Sequence, residues 1–154
     1  MIKIEGTEDP QLRELIEDLI VKTLVDWPEI MVVVRLGYEF VNEEQSGSCF
    51  ERSGVYFVMI RECADGVAVA NTLCHELIHV KQFLEKRLKR KSRCIWFEDK
   101  KYDWDLAYKE RPWEIEAFDQ QLTILEKYLR VCEQRHFNYL LSEAFRYDTS
   151  SCNI

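Results

Sequence analysis

The chain has 154 residues, 47% of them hydrophobic and 32% charged, with a formal net charge of −7 at pH 7. That length can bury a sizeable core, and no apolar run approaches the roughly twenty residues that span a bilayer. The acidic balance speaks against general nucleic-acid binding, with one local exception in the basic run Lys86 to Arg93.

In chain order, Thr7-Glu8-Asp9-Pro10 reads as a helix start, with Thr7 or Asp9 as cap and Pro10 in the first turn. Leu12, Leu15, Ile16, Leu19 and Ile20 then recur at helical spacing, which predicts an amphipathic helix to about Val25, ended by Asp26-Trp27-Pro28. Ile30 to Leu36 is a β-branched run and predicts a buried strand closed by Gly37. Asn42 to Ser48 is polar, contains Gly47, and predicts a turn or exposed loop. Val55 to Ile60 predicts a second strand, and Phe50 fits a short one before it. Ala64-Asp65-Gly66 predicts a turn into a helix over about Val67 to Lys89, whose basic end complements the helix dipole.

Residues 94–111 carry Trp96, Phe97, Tyr102, Trp104 and Tyr108 among charges with no clean period. They predict an irregular connection long enough to be a binding loop or a cover over a site. Pro112 then opens a last long helix. On it Ile115, Phe118, Leu122, Leu125, Leu129 and Cys132 form a stripe expected to face the core. Leu140, Leu141, Ala144 and Phe145 extend that stripe after a break expected near Asn138. The organisation expected is a single domain over residues 1–146 and a C-terminal tail over 147–154, without repeats or a glycine-rich phosphate loop.

The chemistry concentrates in His75, Glu76 and His79, which spell H-E-x-x-H inside the histidine helix. Four residues make about one helical turn, so the two imidazoles project from one face and can grip one Zn²⁺. Glu76, about 100° around the helix, can reach water beside the metal as a general base. The bland alternative is a chance pattern on a solvated face. The flanking Val69, Leu73, Leu77, Ile78, Val80, Phe83 and Leu84 argue for burial instead, and buried imidazoles and a buried carboxylate need a partner. The six cysteines include no C-x-x-C pair, and the N-terminus lacks the layout of a secretory signal. Both point to reduced thiols and a cytoplasmic location; Cys74 diverges too far from His75 to be a co-ligand.

A catalytic zinc takes three protein ligands and leaves a fourth position for water. Candidates for the third are His136, the loop residues Asp99, Asp103 and Asp105, and, better placed, Glu114 and Glu116 in the first turns of the last helix. Those two glutamates diverge by about 200° and cannot both face one metal. Glu114 lies on the side of Ala117, towards the motif helix, whereas Glu116 is expected to be solvated or paired with a base such as Lys109.

The segment His75-Glu76-Leu77-Ile78-His79-Val80-Lys81-Gln82, followed about thirty residues later by Pro112-Trp113-Glu114-Ile115-Glu116-Ala117, resembles the gluzincin metallopeptidases. The resemblance is closest to short, minimal versions found in bacteria and their phages. In that clan a glutamate on a separate helix, often in an E-x-x-A arrangement, is the third ligand, which implies Glu114. One position departs from the pattern: the aspartate or asparagine that commonly follows the alanine is here Phe118, with Asp119 one place later.

The resemblance implies a minimal zincin-like α+β fold. A small, mainly antiparallel sheet would pack on the N-terminal helix, the histidine helix and the C-terminal ligand helix. The activity implied is zinc-dependent hydrolysis of a peptide or protein substrate, with Zn²⁺ on His75, His79 and Glu114 and with Glu76 as base. Tyr102 and Tyr108 are candidate oxyanion helpers, and Val55 to Ile60 corresponds to the edge strand that aligns substrate. Two other classes stay open: a zinc-stabilised binding or interaction module that cleaves nothing, and a nucleic-acid-associated factor using Lys86 to Arg93. Neither a membrane nor, given the charge, nucleic acid is an expected partner.

Overall fold

A computed structural model describes residues 1–62 and 65–150 of the chain. Cys63, Ala64 and residues 151–154 lie outside the described residues, and with them part of the expected turn and the end of the expected tail.

Among the described residues the architecture is α+β, with four α-helices and two sheets. The first strand, β1 (Ile2–Glu5), precedes helix α1 (Pro10–Thr23) and is not anticipated above. Asp9 caps α1 by accepting from the Gln11 amide at 2.9 Å, with Pro10 in the first turn as expected. Strand β2 (Met31–Tyr38) lies parallel to β1, so α1 serves as the crossover between them. β2 continues past Gly37, whose φ of 73° belongs to an irregularity in the register between Arg35 and Tyr38.

Strand β3 (Gly47–Arg52) pairs antiparallel with β4 (Val55–Arg61) through the turn Ser53-Gly54. Both turn residues have positive φ, as a tight two-residue hairpin requires. The strand order is β1-β2-β4-β3. This sheet is mixed, with β1–β2 and β2–β4 parallel and only β3–β4 antiparallel, so the mainly antiparallel expectation fails for it. The order also moves the edge. β4 is paired on both sides, and the free edge on that flank belongs to β3, whose first two residues, Gly47 and Ser48, are assigned to a loop above.

Helix α2 (Gly66–Leu84) is the axis of the fold, buried along most of its length. Asp65 caps it by accepting from the Ala68 amide at 2.6 Å, and Glu143 accepts from the Gly66 amide at 3.0 Å. It stops five residues short of the expected Lys89. Lys86 adopts a left-handed φ of 59°, and the amides of Lys86 and Arg87 fold back on the carbonyls of Phe83 and Gln82. The basic run is therefore not a helix end. Much of it forms strand β5 (Leu88–Lys91), which pairs with β6 (Cys94–Phe97), and β6 with β7 (Lys100–Asp103), in a second, antiparallel sheet. The expected irregular connection is thus largely a three-stranded sheet followed by a 3-10 turn at Tyr108–Glu110.

Helix α3 (Pro112–Val131) and helix α4 (Gln134–Ser150) complete the described chain. The break between them falls at Cys132–Glu133, ahead of the expected Asn138, and α4 continues into the first residues of the expected tail. The face α3 turns inward is marked by Trp113, Ala117 and Tyr128. Ile115, Phe118 and Leu122, expected to be core, are 47%, 53% and 65% exposed. Beyond the break, Leu140 is buried, whereas Leu141, Ala144 and Phe145 face solvent.

One core joins Leu15, Ile16 and Leu19 of α1, Val32 and Val34 of β2, Val58 and Ile60 of β4, and Leu73 and Leu77 of α2. A smaller cluster of Leu88, Ile95, Phe97 and Trp113 attaches the second sheet to the start of α3. Among the described residues no helix is long and apolar enough to cross a membrane, and Cys49, Cys74, Cys94 and Cys132 are free thiols.

Candidate metal centre

His75 and His79 lie one turn apart on α2, with rings 5.0 Å apart and both side chains buried. Glu114, in the first turn of α3, presents one carboxylate oxygen at 3.2 Å from the Nε2 atoms of both histidines. The three donor atoms lie within 4.8 Å of one another, and this is the one such group among the described residues that could hold a metal ion. What brings α3 here is the anchorage of its N-terminus. Trp113 is 2% exposed against the second sheet, and its carbonyl accepts from the Gln82 amide at 3.1 Å.

That last bond fixes more than the backbone. With its NH₂ committed to Trp113, Gln82 must turn its oxygen to His79, where it sits 2.8 Å from Nδ1. In the neutral imidazole this places the His79 proton on Nδ1 and leaves Nε2 as a lone pair; with both nitrogens protonated, Nε2 donates to Glu114 instead. The Gln121 oxygen does the same for His75 at 2.9 Å from Nδ1. Two imidazole lone pairs and a carboxylate oxygen converge on one point, an arrangement suited to a cation.

The charges agree. Burial alone would raise the Glu114 carboxyl. The two imidazoles and the Tyr108 hydroxyl outweigh it and hold the acid well below the usual carboxylate range. Burial opposes a charge on His79, yet Glu114 and Glu76 outweigh that and raise its pKa. Glu76 is 4% exposed, and burial pushes its carboxyl up to about 7, against the two histidines. Its Oε2 is buried with no hydrogen-bond partner among the described residues. A carboxyl so placed, lining the cleft with one oxygen unpaired, is a proton acceptor near neutrality.

The cleft has a volume of about 660 Å³ and is walled on one side by Gly47, Ser48 and Cys49 of β3 and on the other by Tyr108, Phe118 and Gln121. Gly47 is required there. A Cβ at that position would sit 2.5 Å from Glu76 Oε1 and 2.7 Å from the Thr72 methyl, so only glycine lets the strand edge pass over the carboxylate.

The remaining candidates disperse. Glu116 points away from the histidines and is held by the Arg87 guanidinium through two bonds of 2.7 and 2.8 Å; its base is Arg87, where Lys109 was the example expected. Asp99, Asp103 and Asp105 are exposed in and after the second sheet, outside the histidine group. Tyr108 lines the cleft, whereas Tyr102 packs on Trp113, ring centroids 5.6 Å apart, in the smaller core cluster. Cys74 is fully buried in the main core and is no part of the group.

His136 belongs to a different cluster. Its Nδ1 lies 3.2 Å from both Asp18 Oδ2 and the Tyr128 hydroxyl, which itself donates to Asp18 at 3.0 Å, and Lys22 pairs with the same aspartate.

Gln82, Gln121 and Gly47 are absent from the candidates drawn from the sequence. The first two had a signal: Gln82 follows His79 by three residues and Gln121 follows Glu114 by seven, both helical same-face spacings. Gly47 had none, because its role depends on a strand edge that the sequence disguises as a loop. No family model, no curated protein and no solved structure matches the chain.

Proposed function

We propose that the protein is a zinc-dependent metallopeptidase of gluzincin kind, with a zincin-like fold. The observation that carries this reading is the convergence of His75 Nε2, His79 Nε2 and Glu114 Oε2 beside a buried Glu76 with an unpartnered oxygen. A purely structural site would have no use for that fourth group. Carboxylate and imidazole donors in this number suit zinc and leave one coordination position open. When bound, the ion supplies Lewis acidity, polarising a carbonyl and easing deprotonation of water.

The protein's own groups then have distinct tasks. Gln82 and Gln121 hold the imidazoles in the tautomer that keeps Nε2 free. Glu76, which lines the cleft, accepts a proton from the attacking water at its unpaired carboxylate oxygen. It later returns that proton to the leaving amine nitrogen. The Tyr108 hydroxyl, beside Glu114 at the opposite wall, is placed to donate to the oxygen that gains negative charge. The free edge of β3 offers backbone donors and acceptors along which an extended peptide adds as a further strand.

The test is direct. Purified protein supplied with zinc should carry about one ion per chain by mass spectrometry. Glu76→Gln should keep that zinc and the thermal profile while hydrolysis of a denatured-protein substrate disappears. Failure to retain any transition metal, or loss of the metal in Glu76→Gln with a retained ion in His75→Ala, would overturn the assignment.

A further inference from the structure

Three arginines around the second sheet and the start of α3 lie over aromatic rings: Arg87 over Phe97 at 5.6 Å, Arg90 over Phe83 at 5.6 Å and Arg111 over Tyr108 at 5.7 Å. Stacking holds a guanidinium in place and leaves the N–H groups in its plane available. Arg87 spends them within the chain, on Glu85, Glu98 and Glu116. Arg90 and Arg111 have no carboxylate partner among the described residues. Arg111 gives its Nε–H to the Leu106 carbonyl at 2.9 Å, and Arg90 donates no hydrogen bond there at all.

The two uncommitted arginines line the cleft, and Arg87 does not. Strand alternation puts Arg90 on the same face of β5 as Leu88, which is buried in the smaller core cluster. Arg111 follows the 3-10 turn and leads into α3. Their charges are felt inside the cleft: Arg90 opposes the rise in the Glu76 pKa, and Arg111 opposes that at Tyr108. With Lys109, three cations face Glu44, Glu76 and Glu114 across the same space. A divalent ion at the histidines would tip that balance positive, in a chain whose formal net charge is −7.

We infer that Arg90 and Arg111 form a carboxylate-binding site of the cleft, and that the substrate is an acidic peptide with aspartate or glutamate close to the bond to be cut. The inference rests on the peptidase reading and adds the substrate class to it. A guanidinium edge takes a carboxylate through two parallel N–H···O bonds, which the chain itself supplies to neither arginine. A peptide's C-terminal carboxylate has the same chemistry. Two arginines on separate elements favour side chains, because one terminus brings a single carboxylate. Nucleic acid is the weaker occupant, since its phosphates would lie against Glu44 and Glu76 in the same cleft.

The experiment uses zinc-supplied Glu76→Gln protein and three labelled peptides of one length, with binding followed by fluorescence anisotropy. The first has a central glutamate and an amidated end. The second has glutamine in its place, and the third is that glutamine peptide with a free C-terminal carboxylate. The first should bind about fivefold to fiftyfold more tightly than the second, an advantage that shrinks in roughly 0.5 M salt. Arg90→Gln and Arg111→Gln should each cut it several-fold at unchanged zinc content, and Arg90→Lys should recover part of it. Should Arg111→Gln fail to fold, Arg90→Gln decides alone, being an exposed side chain with no hydrogen bond to lose. Equal affinity for the first two peptides, no binding of any, or an undiminished preference in Arg90→Gln overturns the inference. So does tighter binding of the third peptide, or of a labelled single-stranded oligonucleotide, than of the first. The wild-type protein separates this from the parent reading. A glutamate preference without zinc and without cleavage removes the peptidase and keeps the carboxylate site; zinc-dependent cleavage of the first two peptides at equal rates does the reverse.

Discussion

Two clusters in this molecule are built from the same residue types and balance their charges in opposite ways. Between α2 and α3, two histidines, a glutamate and a tyrosine meet beside an open cleft. Between α1, α3 and α4, His136, Asp18 and Tyr128 meet at similar distances inside the packed helices. In the second cluster the aspartate is satisfied from within: Lys22 supplies the positive charge, and the tyrosine and histidine supply hydrogen bonds. In the first, among the described residues no lysine or arginine forms an ion pair with Glu114, which faces two imidazoles held from behind by glutamine oxygens. A buried histidine beside an acid is therefore not informative on its own. What distinguishes a site from a strut is whether the charges are already balanced by the chain.

The comparison breaks most sharply at its two acids. Glu114→Ala should weaken zinc affinity by more than about a hundredfold in a chelator competition, beyond what loss of an outer partner alone brings. Asp18→Asn should leave that affinity unchanged, and a comparable loss in the two would erase the distinction. The next effect sharpens the role of the glutamines. Gln82→Leu removes the acceptor that fixes His79 and should reduce zinc affinity by about tenfold to a hundredfold, read in the same competition.

Stability should respond in the other cluster. Asp18→Asn leaves Lys22 unpaired and weakens the bonds from Tyr128 and His136, for an expected destabilisation of about 1–3 kcal/mol by chemical denaturation. Its pH dependence has a definite sign. Burial would raise the Asp18 carboxyl, but Lys22, Tyr128 and His136 outweigh it and hold its pKa below the ordinary 3.8. The contribution is therefore present above that value and is lost as the pH falls through the depressed one. The thermal midpoint of the wild type should drop more steeply on acidification below about pH 4 than that of Asp18→Asn. The smallest effect belongs to Glu116→Ala. Its partly exposed pair with Arg87 predicts at most about 1 kcal/mol of stability and a change in zinc affinity within about threefold, the reverse ranking being the result that would hand Glu116 the ligand role.

The candidate site was more legible in the sequence than the scaffold around it. His75, Glu76 and His79 sit within one turn, so helical geometry alone places them, and the E-x-x-A pattern singled out Glu114. The two strands read correctly, β2 and β4, are runs rich in β-branched and aromatic residues. The second sheet was hidden because two of its three strands carry little apolar signal: Leu88-Lys89-Arg90-Lys91 has one inward hydrophobic residue and resembles a helix end, and Lys100-Lys101-Tyr102-Asp103 is mostly charged. Its turns are hidden too. Glu98 and Asp99 take φ values of 48° and 62°, conformations that asparagine and glycine announce and these residues do not. On α3 apolar periodicity reports a face that wants burial, and it does not say whether the rest of the chain covers it; Ile115, Phe118 and Leu122 face solvent.

His79 and Glu114 are 35 residues apart, and nearly everything between them is the second sheet and the turn that follows it. An ion shared by these two side chains would act as a cross-link across that excursion. In the chain-entropy model, closing a loop of this size removes roughly 4 kcal/mol of freedom from the unfolded chain. The tether would act unevenly, because β5, β6 and β7 lie inside the closed segment, whereas β1 to β4 lie outside it and keep their own core. Chelation should then loosen the small sheet first. Amide exchange at Leu88–Asp103 would rise while the amides of β2 and β4 remain protected, and the ion would serve as the latch of a lobe as well as the centre of a reaction.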